Sequence, residues 1–223
     1  LKALAAIAPT VYTGYAGGDW RTNFEITADA LNQQAAGAQV LADYDAKVAA
    51  AKQQLAPVAD ATFSIVRWQG GAPSLILKEL PAGRALTDLG LKRPAAQDRD
   101  GRGHSEPVAL ENLADIDADY LFFGTLGGSS VNNPEAGGTA DITGAEKAYE
   151  EAQAVPGFRD LTAYKDGHVI LVDGSLWTST GGPILMRRII EFVEKVTAFR
   201  EVTLTVDLTF ATVTFAEVFD TVV

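Results

Sequence analysis

The stretch from residue 162 to residue 197 constrains the fold more than any other part of the chain. It contains a short apolar run, HVILV (168–172), which predicts a buried strand. A glycine-rich polar segment follows, and from Pro183 the apolar residues recur at helical spacing. Proline suits a first helical turn, where its missing N–H would have no partner. A strand, a loop and a helix in this order are typical of an α/β sheet, in which ligands bind at the carboxyl ends of the strands.

Two other apolar runs, 62–67 and 119–124, also predict buried strands, and helical patterns alternate with them. This alternation predicts a Rossmann-like α/β fold with a mainly parallel sheet. Residues 8–12 predict a short strand outside that sheet. The last residues, 201–223, are rich in Thr, Val and Phe and predict two further strands.

The composition argues against several classes of partner and site. There are 29 acidic and 18 basic residues, and the net charge of −11 disfavours nucleic acid and anionic lipid. No Cys is present, which excludes thiolate metal ligands, cysteine nucleophiles and disulfides. The two histidines, His104 and His168, lack the spacing of a zinc site. The loop before Pro183 has neither nucleotide-binding glycine motif, and the chain has no nucleophile elbow.

Several short motifs, in their order and spacing, resemble the C-terminal lobe of the ABC-transporter solute-binding proteins for iron–siderophore complexes and cobalamin. They are APTV (8–11), SIVRW (64–68), DLGLKRP (88–94), ALENLADIDADYLFFG (109–124) and VDGSLWTSTGGP (172–183). The resemblance covers roughly residues 1–198. It implies a protein that is not an enzyme and that captures a ferric siderophore in a cleft between two lobes. It also implies delivery to the permease of an ABC importer.

The resemblance divides the chain into a remnant of the N-terminal lobe (1–36), a linking helix (37–56), a C-terminal α/β lobe (57–198) and a β-rich tail of unknown role (199–223). An ordinary surface helix is the alternative to a linking helix. Most of the N-terminal lobe is expected to be absent, so we expect this chain to bind its ligand weakly or not at all. The resemblance implies an extracytoplasmic location, in the periplasm or at the cell surface. A lipid anchor lost with the N-terminal segment would be the contact with the membrane.

Three candidate ligand-binding residues lie near strand ends. Trp177, in a polar loop beside glycines, is suited to stacking on a flat ligand, or to packing over the strands. Arg67 is suited to bonding an anionic oxygen of the chelate, or to an ion pair within the protein. Trp68 is a weaker candidate, because adjacent strand residues face opposite sides of a sheet.

The remaining candidates lie on loops and helix starts. Tyr12, Tyr15 and Trp20 follow the first predicted strand and are candidates for the N-lobe side of the cleft, with packing as the alternative. Arg187, or its neighbour Arg188, follows the loop by one helical turn and either faces the cleft or is solvated. Glu111 matches, in the resemblance, the glutamate that docks on the permease, although Ala109 replaces the usual Ser. A solvated glutamate in a first helical turn is the alternative.

Two other functions stay open. The same fold could bind haem or a corrinoid, and haem would require an axial ligand such as Tyr15 or His104. An α/β hydrolase has no supporting motif. For a ferric siderophore neither a cofactor nor a protein metal site is expected, because the siderophore itself would coordinate the iron.

Overall fold

A five-stranded mixed sheet organises the computed structural model, which describes residues 1–15, 18–101, 105–126, 140–178 and 181–205, with side chains as far as residue 197. The order of the strands across the sheet is β3-β2-β1-β4-β5. Their bounds are β1 (Phe63–Gln69), β2 (Ala72–Leu75), β3 (Glu106–Pro107), β4 (Tyr120–Gly124) and β5 (Val169–Leu171).

The three predicted strands form the parallel part of the sheet. β4 pairs in parallel with β1 on one side and with β5 on the other, which confirms the prediction of a mainly parallel sheet. β2 and β3 add an antiparallel edge that the sequence analysis did not predict. Between β1 and β2 lie Gly70 and Gly71, with φ of 65° and 80°. A tight hairpin of this type needs positive φ at both central residues, which glycine adopts without strain.

The helices agree with the predicted pattern over most of the chain. Asp19 is the N-cap of α2, since its carboxylate accepts a hydrogen bond from the Thr22 backbone N–H at 2.8 Å. The α-helices are α1 (Lys2–Ala5), α2 (Trp20–Ala30), α3 (Gln34–Gln54), α4 (Pro81–Asp88), α5 (Ile142–Gln153), α6 (Thr162–Lys165), α7 (Gly174–Trp177) and α8 (Pro183–Thr205). The 3-10 helices are Ala56–Val58, Leu110–Ile116 and Phe158–Asp160.

Helices cover the sheet on both faces and create two apolar cores. The first core joins α2, α3, α4, α7 and α8 to side chains such as Ile65 and Phe122. The second joins α5, α6 and the later 3-10 helices to side chains such as Val66 and Phe123. Neighbouring residues of β1 and β4 thus enter opposite cores, as the period of two along a strand requires.

Two predicted strands are wrong. Residues 8–12 form no strand, and the chain there runs as an irregular segment at the protein surface. Residues 201–205 continue α8 instead of starting a strand, and Thr205 is the last residue of the chain that the structure describes. Helix propagation adds a hydrogen bond per residue, which outweighs the modest β propensity of Val and Thr. The rest of the predicted β-rich tail, 206–223, lies outside the described residues.

The predicted linking helix corresponds to α3, and polar contacts attach it to the sheet's helical layer. Lys47 Nζ lies 2.6 Å from a carboxylate oxygen of Glu194 on α8, whose side chain is 9% exposed. The Tyr44 hydroxyl donates to Asp88 on α4 at 2.7 Å. Burial, with the Asp88 carboxylate, raises the pKa of Tyr44. These contacts fix α3 to α4 and α8, and whether α3 also bridges two lobes stays a prediction.

A buried polar network completes the edge of β1. The Gln97 side chain, fully buried, accepts from the Ile65 backbone N–H at 2.9 Å and donates to Ser64 Oγ at 2.6 Å. Arg93 in turn donates to the Gln97 amide oxygen and to the Ile76 carbonyl. Burial lowers the pKa of Arg93 to about 10. β2 ends opposite Val66, so the backbone N–H of Ile65 has no partner on that strand. The Gln97 side-chain amide accepts this hydrogen bond in its place.

Two carboxylates from the DIDAD sequence hold the start of β4. Asp117 accepts hydrogen bonds from the backbone N–H and hydroxyl of Thr162, at the start of α6. Asp119 accepts from the backbone N–H and the hydroxyl of Thr62, both at 2.7 Å. The Thr62 hydrogen bonds keep the pKa of Asp119 below its ordinary value. The alternating aspartates therefore connect β4 to its neighbours.

The substitution Asp119→Asn should make stability less dependent on pH. The pKa of Asp119 is lower in the folded protein than the value of 3.8 for an unfolded chain. Ionised Asp119 therefore stabilises the folded protein at any pH above 3.8, and this stabilisation is lost as the pH falls through the folded pKa. We expect the variant to be less stable than the wild type by about 1 kcal/mol at pH 7. The difference should shrink at pH 3, as measured by urea unfolding.

Asp115→Asn is the matched control, because Asp115 is exposed on the same segment. It should change the free energy of unfolding little at either pH. A deficit in Asp119→Asn that is equal at pH 7 and pH 3 would contradict the role of the charge.

Candidate functional site

A cavity of about 340 Å³ opens where the N-terminal segment meets the loop before α8. The N-terminal segment contributes Thr13, Gly14, Tyr15 and Gly18. One face of α2 contributes Trp20, Asn23, Phe24 and Thr27. The opposite wall is Pro81, at the start of α4, with Gly181, Gly182 and Pro183. The loop that the sequence analysis singled out therefore does line a cavity.

The N-terminal wall depends on a close approach of two backbone segments. Gly14 has φ of 119°, and a Cβ there would lie 1.9 Å from the Asn23 side-chain oxygen. The Asn23 amide nitrogen donates to the Tyr15 carbonyl at 3.3 Å. Glycine at position 14 thus lets the loop fold onto α2. This contact holds Tyr15 at the cavity, with 66% of its surface exposed.

The glycine wall gives the cavity its width. Around Gly182 no described atom outside its two chain neighbours lies within 4 Å of the place a Cβ would take. The Gly182 carbonyl accepts the backbone N–H of Met186 at 3.1 Å and so begins the hydrogen bonding of α8. At Gly181 the Leu185 side chain lies 2.7 Å from the corresponding place, so the open space for a ligand is beside Gly182.

Arg67 lies at the carboxyl end of β1, where its guanidinium donates to Ser105 Oγ at 3.1 Å and to the Thr178 carbonyl. Its Nε is buried and has no hydrogen-bond partner among the residues that the structure describes. Burial lowers the pKa of Arg67. Arg67 forms no ion pair with any described residue, so the alternative role in a structural salt bridge has no support among these residues. A role in binding an anionic oxygen stays a prediction.

The expectation that Trp177 stands in a polar loop is wrong. Trp177 is 2% exposed, at the end of α7. Its ring centroid lies 4.3 Å from that of Phe122 and 5.5 Å from that of Phe192. Gly174 permits this arrangement, because a Cβ there would collide with the Thr125 carbonyl. The short helix packs against the end of β4 and turns the indole into the core.

Trp68 is also in a core and not in the cavity. It is 1% exposed and packs edge-on against Phe158, with ring centroids 5.5 Å apart. Arg67 and Trp68 face opposite sides of the sheet, as the alternation along a strand predicted. A direct contact of Trp68 with a ligand at the cavity is incompatible with this packing.

The remaining candidates are spread over the surface. Arg187 pairs with Glu191 at 2.9 Å, and Arg187 and Arg188 are both exposed, which agrees with the solvated alternative. Tyr12 is 58% exposed and does not line the cavity. Glu111 is exposed in the first turn of the 3-10 helix Leu110–Ile116. His104 lies outside the described residues.

The sequence analysis missed most of the α2 wall, namely Asn23, Phe24 and Thr27. Their signal was present, because they lie one helical turn from Trp20 or from one another and therefore share a face. Pro81 had no such signal, since the approach of α4 to the glycine loop depends on tertiary packing.

Two kinds of feature are absent from the described residues. No helix in this part of the chain is long and apolar enough to cross a lipid bilayer. The same residues hold no group of three or more His, Cys, Asp or Glu side chains able to bind a metal ion. The cavity, whose described lining carries no charged side chain, lies on the segment that follows β5 and α7, and ligands bind in open α/β sheets near the carboxyl ends of the strands.

Comparison with known proteins indicates the class of this protein. Residues 1–176 match the periplasmic binding protein family. The probable siderophore-binding lipoprotein YfiY of Bacillus subtilis (strain 168) is 29% identical over 184 residues, which cover 80% of this chain and 53% of YfiY. The iron(3+)-hydroxamate-binding protein FhuD of the same organism is 30% identical over 203 residues, which cover 86% of this chain and 58% of FhuD. The chain thus spans little more than half the length of these relatives.

Solved structures share the fold. Staphylococcus aureus SirA complexed with staphyloferrin B gives a TM-score of 0.71 at 22% identity, covering 88% of this chain and 66% of SirA. A FhuD fold-family component of a Fep/Fec-like ferrichrome ABC transporter from Bacillus subtilis gives 0.66 at 27% identity, covering 87% of this chain and 67% of that protein. The chain belongs to the periplasmic binding protein family. The prediction of a binding protein, and not an enzyme, is confirmed.

The packing of Trp177 predicts a structural role that can be measured. Truncating a fully buried indole leaves a large cavity, so Trp177→Ala should lower the free energy of unfolding by roughly 3–5 kcal/mol. Trp177→Phe keeps an aromatic ring against Phe122 and should lose less. Urea unfolding of both variants measures the difference. Wild-type stability in Trp177→Ala, together with weaker ligand binding, would restore the ligand-stacking interpretation.

Proposed function

We propose that this chain is part of an extracytoplasmic solute-binding protein that captures a ferric siderophore and delivers it to an ABC importer. The observation that carries the proposal is the cavity between Tyr15 and the Gly181–Pro183 wall, at the carboxyl edge of the sheet. Family membership and the similarity to the probable siderophore-binding lipoprotein YfiY and the iron(3+)-hydroxamate-binding protein FhuD support it.

In this mechanism the siderophore coordinates the iron, and the protein supplies a surface. Tyr15 offers an exposed aromatic face and a hydroxyl, while Asn23 and Thr27 offer polar groups on α2. Arg67 is bonded to Thr178 at the start of the loop whose end, Gly181–Pro183, lines the cavity. It would bond an anionic oxygen of a chelate that extends along this loop. A second wall from a further lobe would complete the enclosure.

The Tyr15 contact can be tested by ligand titration. We expect Tyr15→Ala to weaken binding of a ferric siderophore by about 1–3 kcal/mol, because an aromatic anchor is lost. Trp20 lines the same cavity, so quenching of its fluorescence reports binding. The comparison variant is Tyr12→Ala, since Tyr12 is similarly exposed but lies outside the lining, and its loss should be smaller. Equal losses in both variants would contradict the assignment of Tyr15.

Delivery would use the exposed face around Glu111. The glutamate is free of ion pairs among the described residues and stands in the first turn of a 3-10 helix, where its carboxylate is available to a cationic partner. We propose that it meets an arginine of the permease. The location would be extracytoplasmic, with a lipid anchor on a preceding segment.

Glu111→Arg should reduce stimulation of the importer's ATPase roughly tenfold without changing siderophore affinity, because a like charge would face the permease. The assay is ATP hydrolysis by the importer in proteoliposomes. Glu146→Arg, an exposed glutamate on α5, is the matched control and should stimulate as the wild type does. Equal stimulation by both variants would refute docking through Glu111.

Haem is a second candidate ligand, because Tyr15 places a phenolic hydroxyl at the cavity, where it could serve as an axial ligand. Corrinoid binding has no such observation in its favour. Absorbance titration with haem distinguishes the two proposals: a shifted Soret band that disappears in Tyr15→Phe would favour haem over a ferric siderophore.

A further inference from the structure

The described part of the cavity wall is electrically neutral, which restricts the charge of a ligand. Each described lining residue carries a hydroxyl, an amide, an aromatic ring, an apolar group or no side chain. The polar atoms nearest to a ligand would come from Tyr15, Asn23 and Thr27, which make hydrogen bonds without bearing charge. Such a wall can recognise neutral oxygen-rich groups but offers little to balance several negative charges.

The charged residues beside the cavity compensate one another. Asp19 lies between two lining residues, and the Thr22 backbone N–H, with help from Arg84 and Arg21, keeps the pKa of Asp19 below its ordinary value. Arg21 in turn lies 2.5 Å from Asp45. Its guanidinium also lies 5.0 Å from the Trp20 ring and 4.9 Å from the Tyr44 ring. This group therefore leaves no surplus of positive charge at the cavity.

Arg67 adds one cation that has no carboxylate partner in the described part of the chain, at the far end of the same loop. One guanidinium carries one positive charge and can donate two parallel hydrogen bonds to one anionic group, so it offsets about one of a ligand's negative charges. Arg187 and Arg188 are exposed, and screening by salt weakens their effect on a bound ligand. At longer range the net charge of −11 repels a highly charged anion.

On this basis we propose that this side of the binding site selects ferric chelates with little net negative charge, such as ferric hydroxamates or mixed hydroxamate–carboxylate chelates, over trianionic tris-catecholates. The inference rests on the proposed function and names its ligand class. Three hydroxamate groups, each a bidentate ligand with one negative charge, neutralise Fe³⁺, so a ferric trihydroxamate brings no net charge to a neutral wall. A tris-catecholate retains three negative charges and would have to lose part of its hydration against that wall.

The test compares two chelates on the same chain by quenching of Trp20 fluorescence. The probes are a neutral ferric trihydroxamate and a trianionic ferric tris-catecholate, each titrated to millimolar concentration at low and at high salt. We expect at least tenfold tighter binding of the trihydroxamate at low salt. The gap should narrow at high salt, because screening reduces the repulsion of the trianion.

A charge added to the wall should alter this preference. Thr27→Lys introduces one cation at the cavity, and the Thr27 hydroxyl it removes bonds only to the Asn23 carbonyl within α2. We expect the variant to bind the tris-catecholate at least fivefold more tightly and the trihydroxamate no more tightly. Ala38→Lys, on an exposed site of α3, adds the same charge away from the cavity and is the matched control. Thermal unfolding followed by circular dichroism verifies that both variants fold.

Each outcome has a distinct meaning. Tris-catecholate binding as tight as that of the trihydroxamate at low salt overturns the charge selection and leaves the proposed function intact. Equal gains in Thr27→Lys and Ala38→Lys show that net charge, and not the cavity wall, sets the preference, which also overturns the inference. Binding of neither chelate at millimolar concentration overturns the proposed function itself.

Discussion

The parallel pairing of β1 with β4 is the contact on which the rest of the structure depends. These two strands are apolar on both faces, so each face must be covered by helices before the pair is stable in water. Phe63 and Phe122 turn towards one helical layer, and Val66 and Phe123 towards the other. The paired strands therefore fix where α3, α8 and α5 pack, and their carboxyl ends fix where the loops meet.

The loops that meet at this edge show how a site arises from packing. Gly124 aligns with Arg67 across the parallel pair, and a Cβ on Gly124 would lie 3.3 Å from the Thr178 side chain. Because these residues are small, α7 packs closely against the strand ends, which brings the Thr178 carbonyl to the Arg67 guanidinium. The same packing directs the following glycines towards α2 and Tyr15. The cavity therefore depends on the close contact between α7 and the end of the sheet.

Local patterns in the sequence were enough to predict the parallel strands, because each is a continuous apolar run bounded by polar turns. They were also enough to predict the long helix α3. The position of Trp177 could not be predicted in the same way. Most of its neighbours in the sequence are glycine, serine and threonine, so the local pattern indicated a loop. The decisive contacts with Phe122 and Phe192 come from distant parts of the chain. The cavity wall on α2 follows the same rule, since a helical face becomes a binding surface only when another segment stands opposite it.

The network of Arg93 and Gln97 has a consequence for how this protein can change over evolutionary time. Arg93 is 7% exposed, donates to an amide oxygen and a carbonyl, and forms no salt bridge among the described residues, so it tolerates the loss of neither acceptor. Replacing Gln97 alone would remove one hydrogen-bond acceptor of the buried Arg93 guanidinium. It would also break the hydrogen bonds of Gln97 with the Ile65 backbone N–H and with Ser64 Oγ. An apolar pair of matching volume could nevertheless occupy both places. Across related sequences, positions 93 and 97 should therefore vary as a unit, and substitutions at one should be found with compensating substitutions at the other.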